Sequence, residues 1–132
     1  MSWTVADTNT HQDHVIAHVI GATPLGHFIF DETAYILLDI GFIWNLYLDM
    51  EMGLVPQRVA IAELDADEAT KRQFSSDVDR FMQGGENVGP IQSVELFESE
   101  DERRLVLVCE DGKLTVETSI NQRWTRIDSV LS

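Results

Sequence analysis

The sequence predicts an α+β fold built on antiparallel pairing, and three observations carry that expectation. There is a long stretch of apolar alternation, one amphipathic helical stretch near the middle, and a series of short alternating segments with turn residues between them. In the first, Ile36, Leu38, Ile40, Phe42, Trp44, Leu46, Leu48, Met50 and Met52 fill every even position of Tyr35–Met52, and Asp39, Gly41, Asn45, Asp49 and Glu51 fall on odd ones. Period two sets one apolar row on a single face of a sheet. A helix would instead scatter Asp39, Asn45 and Asp49 among large apolar groups.

A single extended strand of that length would span nearly ~60 Å at about 3.3 Å per residue. A domain of this size has a radius of gyration of about 14 Å. The chain must therefore bend or reverse, and Gly41 is the natural place for a bulge or tight turn. Strands are expected over 35–40 and 42–50. A loop with Gly53 and Pro56 follows, then a further strand over Arg58–Leu64.

Upstream, HVIAHVIG and GHFIF flank a Pro-containing connection, which reads as a hairpin, with Asp31–Glu32–Thr33 as the next turn. Residues 11–20 admit a helix, since Thr10-x-x-Asp13 matches a capping box and Gly21 a stop. The β-branched Val15, Ile16, Val19 and Ile20 favour the strand.

The central helix is expected over 66–83. Asp65 followed by Glu68 is a capping-box-like start, Ala66, Thr70, Phe74, Val78, Phe81 and Met82 form one face, and Gly84–Gly85 ends it. Strands near 91–98, 103–110, 113–120 and 123–128 complete the chain, with Asp111-Gly112 as the strongest hairpin signal. The expected architecture is a curved antiparallel sheet of N-terminal hairpins and a C-terminal β-meander, covered on one face by the helix. At 132 residues the chain suits a single domain, with 1–12 as a loosely ordered N-terminal arm.

Charge narrows the partners. The formal net charge is −14, and all nine basic residues lie at Arg58 or later, whereas the first 57 residues hold seven acids. Such a field disfavours nucleic acid and acidic bilayers and favours a basic protein partner. Arg103, Arg104, Arg123 and Arg126 are expected to pair across strands with Glu95, Glu98 or Glu117. The lone Cys109, in an apolar run, excludes an internal disulfide and multi-Cys metal sites. The first ten residues lack the charge and apolar core of a signal peptide, and a soluble cytoplasmic protein is expected.

Two constellations hold candidate chemistry. His11, His14 and His18 would share a helix face and could meet one metal ion, but on a strand His14 and His18 would stand ~13 Å apart. Asp39 and Asp49, with His27, would suit a small hydrolase or lyase if the reversal at Gly41 brought them into one pocket. No Gly-x-Ser-x-Gly elbow, His-Glu-x-x-His or dinucleotide fingerprint occurs in the chain. No cofactor is expected.

The leading expectation is a non-enzymatic protein-binding module that self-associates. Tyr35, Leu37, Ile43 and Tyr47 make the second face of the alternating stretch apolar as well, so something must cover it. Either the central helix does, or a second copy docks through Trp44, Phe42, Tyr47, Ile43 and Tyr35 to give a homodimer.

Overall fold

The computed structural model describes residues 3–47, 51–81 and 87–131. Its elements are β1 (Thr4–Val5), α1 (Thr10–Val19), β2 (Pro24–Phe30), β3 (Thr33–Leu38), β4 (Phe42–Leu46), β5 (Met52–Pro56), α2 (Gln57–Ala62), α3 (Glu68–Phe81), β6 (Ile91–Glu98), β7 (Glu102–Cys109), β8 (Gly112–Ser119) and β9 (Trp124–Leu131). The class is the expected one, α+β with antiparallel strands. The strands form two sheets, ordered β1-β6-β7-β8-β9 and β2-β3-β4-β5. Three helices, not one, lie among the described residues. None is long and apolar enough to cross a membrane.

The alternating stretch reverses at Gly41, which takes φ +83, and Leu37 comes to face Ile43 across the hairpin. The even row then turns inward. Ile36, Leu38, Trp44, Leu46 and Met52 join Leu96, Leu105, Leu107, Leu114 and Val116 of the other sheet in one core cluster. The two sheets therefore pack face to face, and Val15 and Val19 of α1 complete the layer.

Residues 11–20 are helical, which corrects the strand expectation. The cap lies one residue earlier than the sequence suggested: Gln12 N donates to Asn9 Oδ1 at 2.8 Å, and Asn9 N to Gln12 Oε1 at 3.0 Å. That reciprocal pair satisfies two orphan donors. Val15 and Val19, four apart, are buried, so packing along a helical stripe outweighs β-branched propensity. Gly21, at φ +89, ends the helix as expected, and its N–H donates to Ile91 O at 2.8 Å. Upstream, where an arm was expected, Thr4 and Val5 pair with Glu98 and Phe97 of β6.

Arg58–Leu64 is the second correction, because most of it is α2 rather than a strand. Its buried residues Ala60, Ile61 and Leu64 follow the i, i+1, i+4 spacing of a helical stripe, while Val59 is exposed. The central helix starts slightly later than expected. Its cap is Asp67, whose Oδ1 accepts from Thr70 N at 2.7 Å, an interaction that holds the Asp67 carboxyl below its ordinary range. The expected stop at Gly84–Gly85 lies outside the described residues.

The β7–β8 hairpin turns on Glu110–Asp111, one residue before the expected Asp111-Gly112 turn, because Gly112 pairs with Cys109 as the first residue of β8. Gly112 serves close approach here: a Cβ on it would stand 2.5 Å from Val130 O of β9. The arginines pair largely as expected. Arg104 and Arg126 flank Glu117 at 3.4 and 3.3 Å, and Arg103 reaches Glu98 at 4.0 Å. Arg123 instead reaches Glu32 of the other sheet at 3.3 Å.

Candidate functional site

The odd row of β3 and β4 faces away from the other sheet, and it has two unlike ends. At one end Leu37 and Ile43 are fully buried beneath Ala60, Ile61, Leu64 and Val78 of the α2–α3 layer. Phe28 stacks on Tyr35 and Phe74 at centroid separations of 4.8 and 4.5 Å. Helices of this chain thus cover the second apolar face, the first of the two solutions the sequence left open.

At the other end the row becomes Thr33, Tyr35, Asn45 and Tyr47. Tyr35 faces Asn45 across β3–β4, and Asn45 faces Gly53 across β4–β5. Gly53 adds no side chain, and α2 stops at Ala62, so this end is walled only by Ala60 and by Glu63–Asp65 just beyond the helix. The result is a hollow of about 260 Å³ lined by Phe30, Asp31, Thr33, Tyr35, Asn45, Tyr47, Ala60, Glu63, Leu64 and Asp65.

Asn45 is only 8% exposed, and its Oδ1 accepts no hydrogen bond. A buried amide oxygen without a partner forfeits about 1–3 kcal/mol of solvation. Burial pushes the Tyr35 phenol above its ordinary range; nearby Tyr47 and Asp31 push the same way, against a hydrogen bond with Thr33. Tyr47, 42% exposed, forms the outer wall. No ion pair engages Asp31, Glu63 or Asp65 among the described residues.

The β2–β3 turn is held under strain. Asp31 and Glu32 both take left-handed backbone, at φ 49 and 66, in a two-residue connection where aspartate is usual at the first position and glycine at the second, so the strain falls mainly on Glu32. Contacts from the other sheet hold it there: Thr125 Oγ1 donates to Glu32 O at 2.7 Å, and Arg123 Nε to Glu32 Oε1 at 3.3 Å. A shallower hollow of about 390 Å³ adjoins the first, shares Asp31, Thr33 and Tyr47, and adds Glu32, Glu51, Ile120 and Arg123.

The residues singled out from sequence are distributed differently. Among the described residues no group of three or more His, Cys, Asp or Glu side chains is placed to hold a metal ion, although His11, His14 and His18 do lie on one helix. His11 Nε2 lies 2.7 Å from Met52 O, and His18 packs edge-on against Phe42. Asp39 closes a backbone junction: its Oδ1 accepts from Thr23 N at 2.8 Å, and its own N–H donates to Thr23 O at 3.0 Å. His27 pairs with Ile36 in the middle of β2, and neither it nor Asp39 lines the hollow. Asp49 lies outside the described residues.

Of the five side chains offered for self-association, Trp44 and Ile43 are fully buried within the chain, and Tyr35 and Tyr47 line the hollow. Phe42, half-buried, meets His18. Sequence reasoning missed Asp31, Glu63 and Asp65 as site residues. Reading Arg58–Leu64 as a strand concealed that Glu63 and Asp65 close a helical segment beside the sheet. The one signal available was Asn45 with Tyr47 two residues on, in the odd row that also carries Tyr35, Leu37 and Ile43. Comparison with known protein families, curated proteins and solved structures found no match to this chain.

Proposed function

We propose that the protein is a non-enzymatic binding module for a basic protein segment, held across the acidic, tyrosine-walled end of the four-stranded sheet. The observation that carries this reading is the hollow itself, where carboxylates of Asp31, Glu63 and Asp65 gather around Tyr35 and Tyr47 without a basic side chain among the lining residues. The formal net charge of −14 adds a long-range field of the same sign, which raises the encounter rate with a cationic partner. The adjoining hollow extends the surface, so an extended segment could lie across both with Tyr47 as the ridge between them.

Self-association is the less favoured reading, since α2 and α3 cover Leu37 and Ile43 of the face that asked for a second copy. Light scattering at high micromolar concentration is expected to give the mass of one chain. The function is tested by fluorescence anisotropy with a labelled decapeptide rich in Lys and Arg, against an acidic decapeptide of equal length. Binding of the basic peptide alone, weakening as salt rises from about 50 to 500 mM, supports the module. Equal binding of both peptides, or of neither, overturns it.

A further inference from the structure

We infer that the hollow is a receptor for a single guanidinium group, the head of an arginine side chain. This rests on the reading above and names what the hollow selects from a basic segment.

The argument starts from the acceptors. Asp31 stands on the β2–β3 turn, Glu63 and Asp65 stand just beyond α2, and Asn45 lies on β4 between them. These acceptors approach from different elements, and the described carboxylates do not cluster tightly enough to hold one metal ion. Separated acceptors suit an extended donor better than a point charge. Guanidinium offers five N–H donors in a plane, while an ammonium is compact and strongly hydrated.

The second observation is independent of the acids. Asn45 is more than nine-tenths buried, lines the hollow, and leaves Oδ1 without a donor. Oδ1 is itself closed off from solvent, so an incoming N–H can satisfy it once the amide turns about Cβ–Cγ toward the hollow that Asn45 lines. The walls give the third observation. Tyr47, the exposed wall, supplies an aromatic face on which a planar guanidinium stacks well, and the edge of Tyr35 and Phe30 can shelter the methylenes of the arginine.

The test titrates the intact protein with N-acetyl-arginine amide, N-acetyl-lysine amide and N-acetyl-citrulline amide, read by calorimetry and by the side-chain amide NMR signal of Asn45. The arginine probe is expected to bind at least about fivefold more tightly than the lysine probe, to shift the Asn45 amide signal, and to outcompete citrulline entirely. Asn45→Leu is expected to weaken the arginine probe about tenfold without lowering the melting temperature, because it removes an unpartnered buried polar group. Tyr47→Leu, at an exposed wall, gives a second variant that leaves folding intact and weakens binding by several fold. Asp79→Asn, on α3 away from the hollow, should change nothing.

Equal affinity for arginine and lysine probes overturns the selectivity for a planar donor. Basic-peptide binding that persists unchanged in both Asn45→Leu and Tyr47→Leu overturns the hollow as the receptor while leaving the binding-module reading intact. Failure of the basic peptide and of every small probe removes both.

Discussion

The two ends of one sheet face make the most instructive comparison in this molecule. On the odd row of β3 and β4, Leu37 and Ile43 at one end are sealed beneath α2 and α3, and Asn45 and Tyr47 at the other line an open hollow. The backbone is continuous and the pairing regular through both ends. What differs is side-chain chemistry and where the helical layer stops. Apolar residues at the closed end stabilise the fold through burial. At the open end a buried amide oxygen goes unpartnered, and a neighbouring turn holds two non-glycine residues in left-handed backbone. Natural chains concentrate such local costs where binding needs them.

The contrast can be broken most severely at the closed end. Leu37→Ala, at a fully buried position, should cost about 3 kcal/mol in urea unfolding, as large-to-small changes in packed cores do. Asn45→Ala should stay within about 1 kcal/mol, because the oxygen it removes had no partner. Comparable losses at the two sites would erase the distinction.

A glycine pair sharpens it. A Cβ on Gly26 would meet the Phe81 ring at 2.5 Å, so Gly26→Ala should cost about 1–3 kcal/mol and loosen the end of α3. A Cβ on Gly53, beside Asn45, meets nothing closer than 3.9 Å, and Gly53→Ala should be neutral or stabilising by a few tenths of a kcal/mol.

Asp31→Gly should separate stability from binding. Relief of its left-handed backbone is expected to raise stability by up to about 1 kcal/mol, while loss of the carboxylate weakens the arginine probe. Thermal melts and calorimetry on the same sample decide this. A loss of stability together with unchanged binding would show that the turn is neither strained nor part of the receptor.

The pH-dependent effect, which vanishes at neutral pH, lies between the sheets, in the layer that neither end of the outer face touches. Burial pushes the Cys109 thiol up to about 11 from an ordinary value of 9. The folded chain therefore keeps its proton where the unfolded chain has lost it. This contribution is fully present below pH 9 and fades as the pH rises toward 11. Cys109→Ala should flatten that part of the stability profile, and native Cys109 should resist alkylation at pH 8 that denatured protein undergoes readily.

Much of the architecture was legible in the residues. Period two between Tyr35 and Met52, with a glycine at the point where a straight strand would overrun the domain, is enough to require a hairpin, and the structure turns at Gly41. The arginine pairing with Glu117 and Glu98 followed from alternation in the C-terminal strands. The helices α1 and α2 were not legible as such, because they are short and rich in residues that also suit strands. Asn9–Gln12 capping and the buried pair Val15 and Val19 decide the first; the stripe of Ala60, Ile61 and Leu64 decides the second. The hollow was hidden for the same reason. Its walls come from a turn, three strands and the end of a helix read as a strand, so Asp31 lies more than thirty positions from Glu63 and Asp65 in the chain.

The most direct measurement is an NMR footprint of the basic decapeptide on isotopically labelled protein. Amide shifts concentrated at Asp31–Tyr35, Asn45–Tyr47 and Glu63–Asp65, with Leu37, Ile43 and α3 unmoved, are the expected result. Shifts that fall mainly on the outer face of the five-stranded sheet, or that spread evenly over the acidic surface, would contradict a dedicated receptor at the open end.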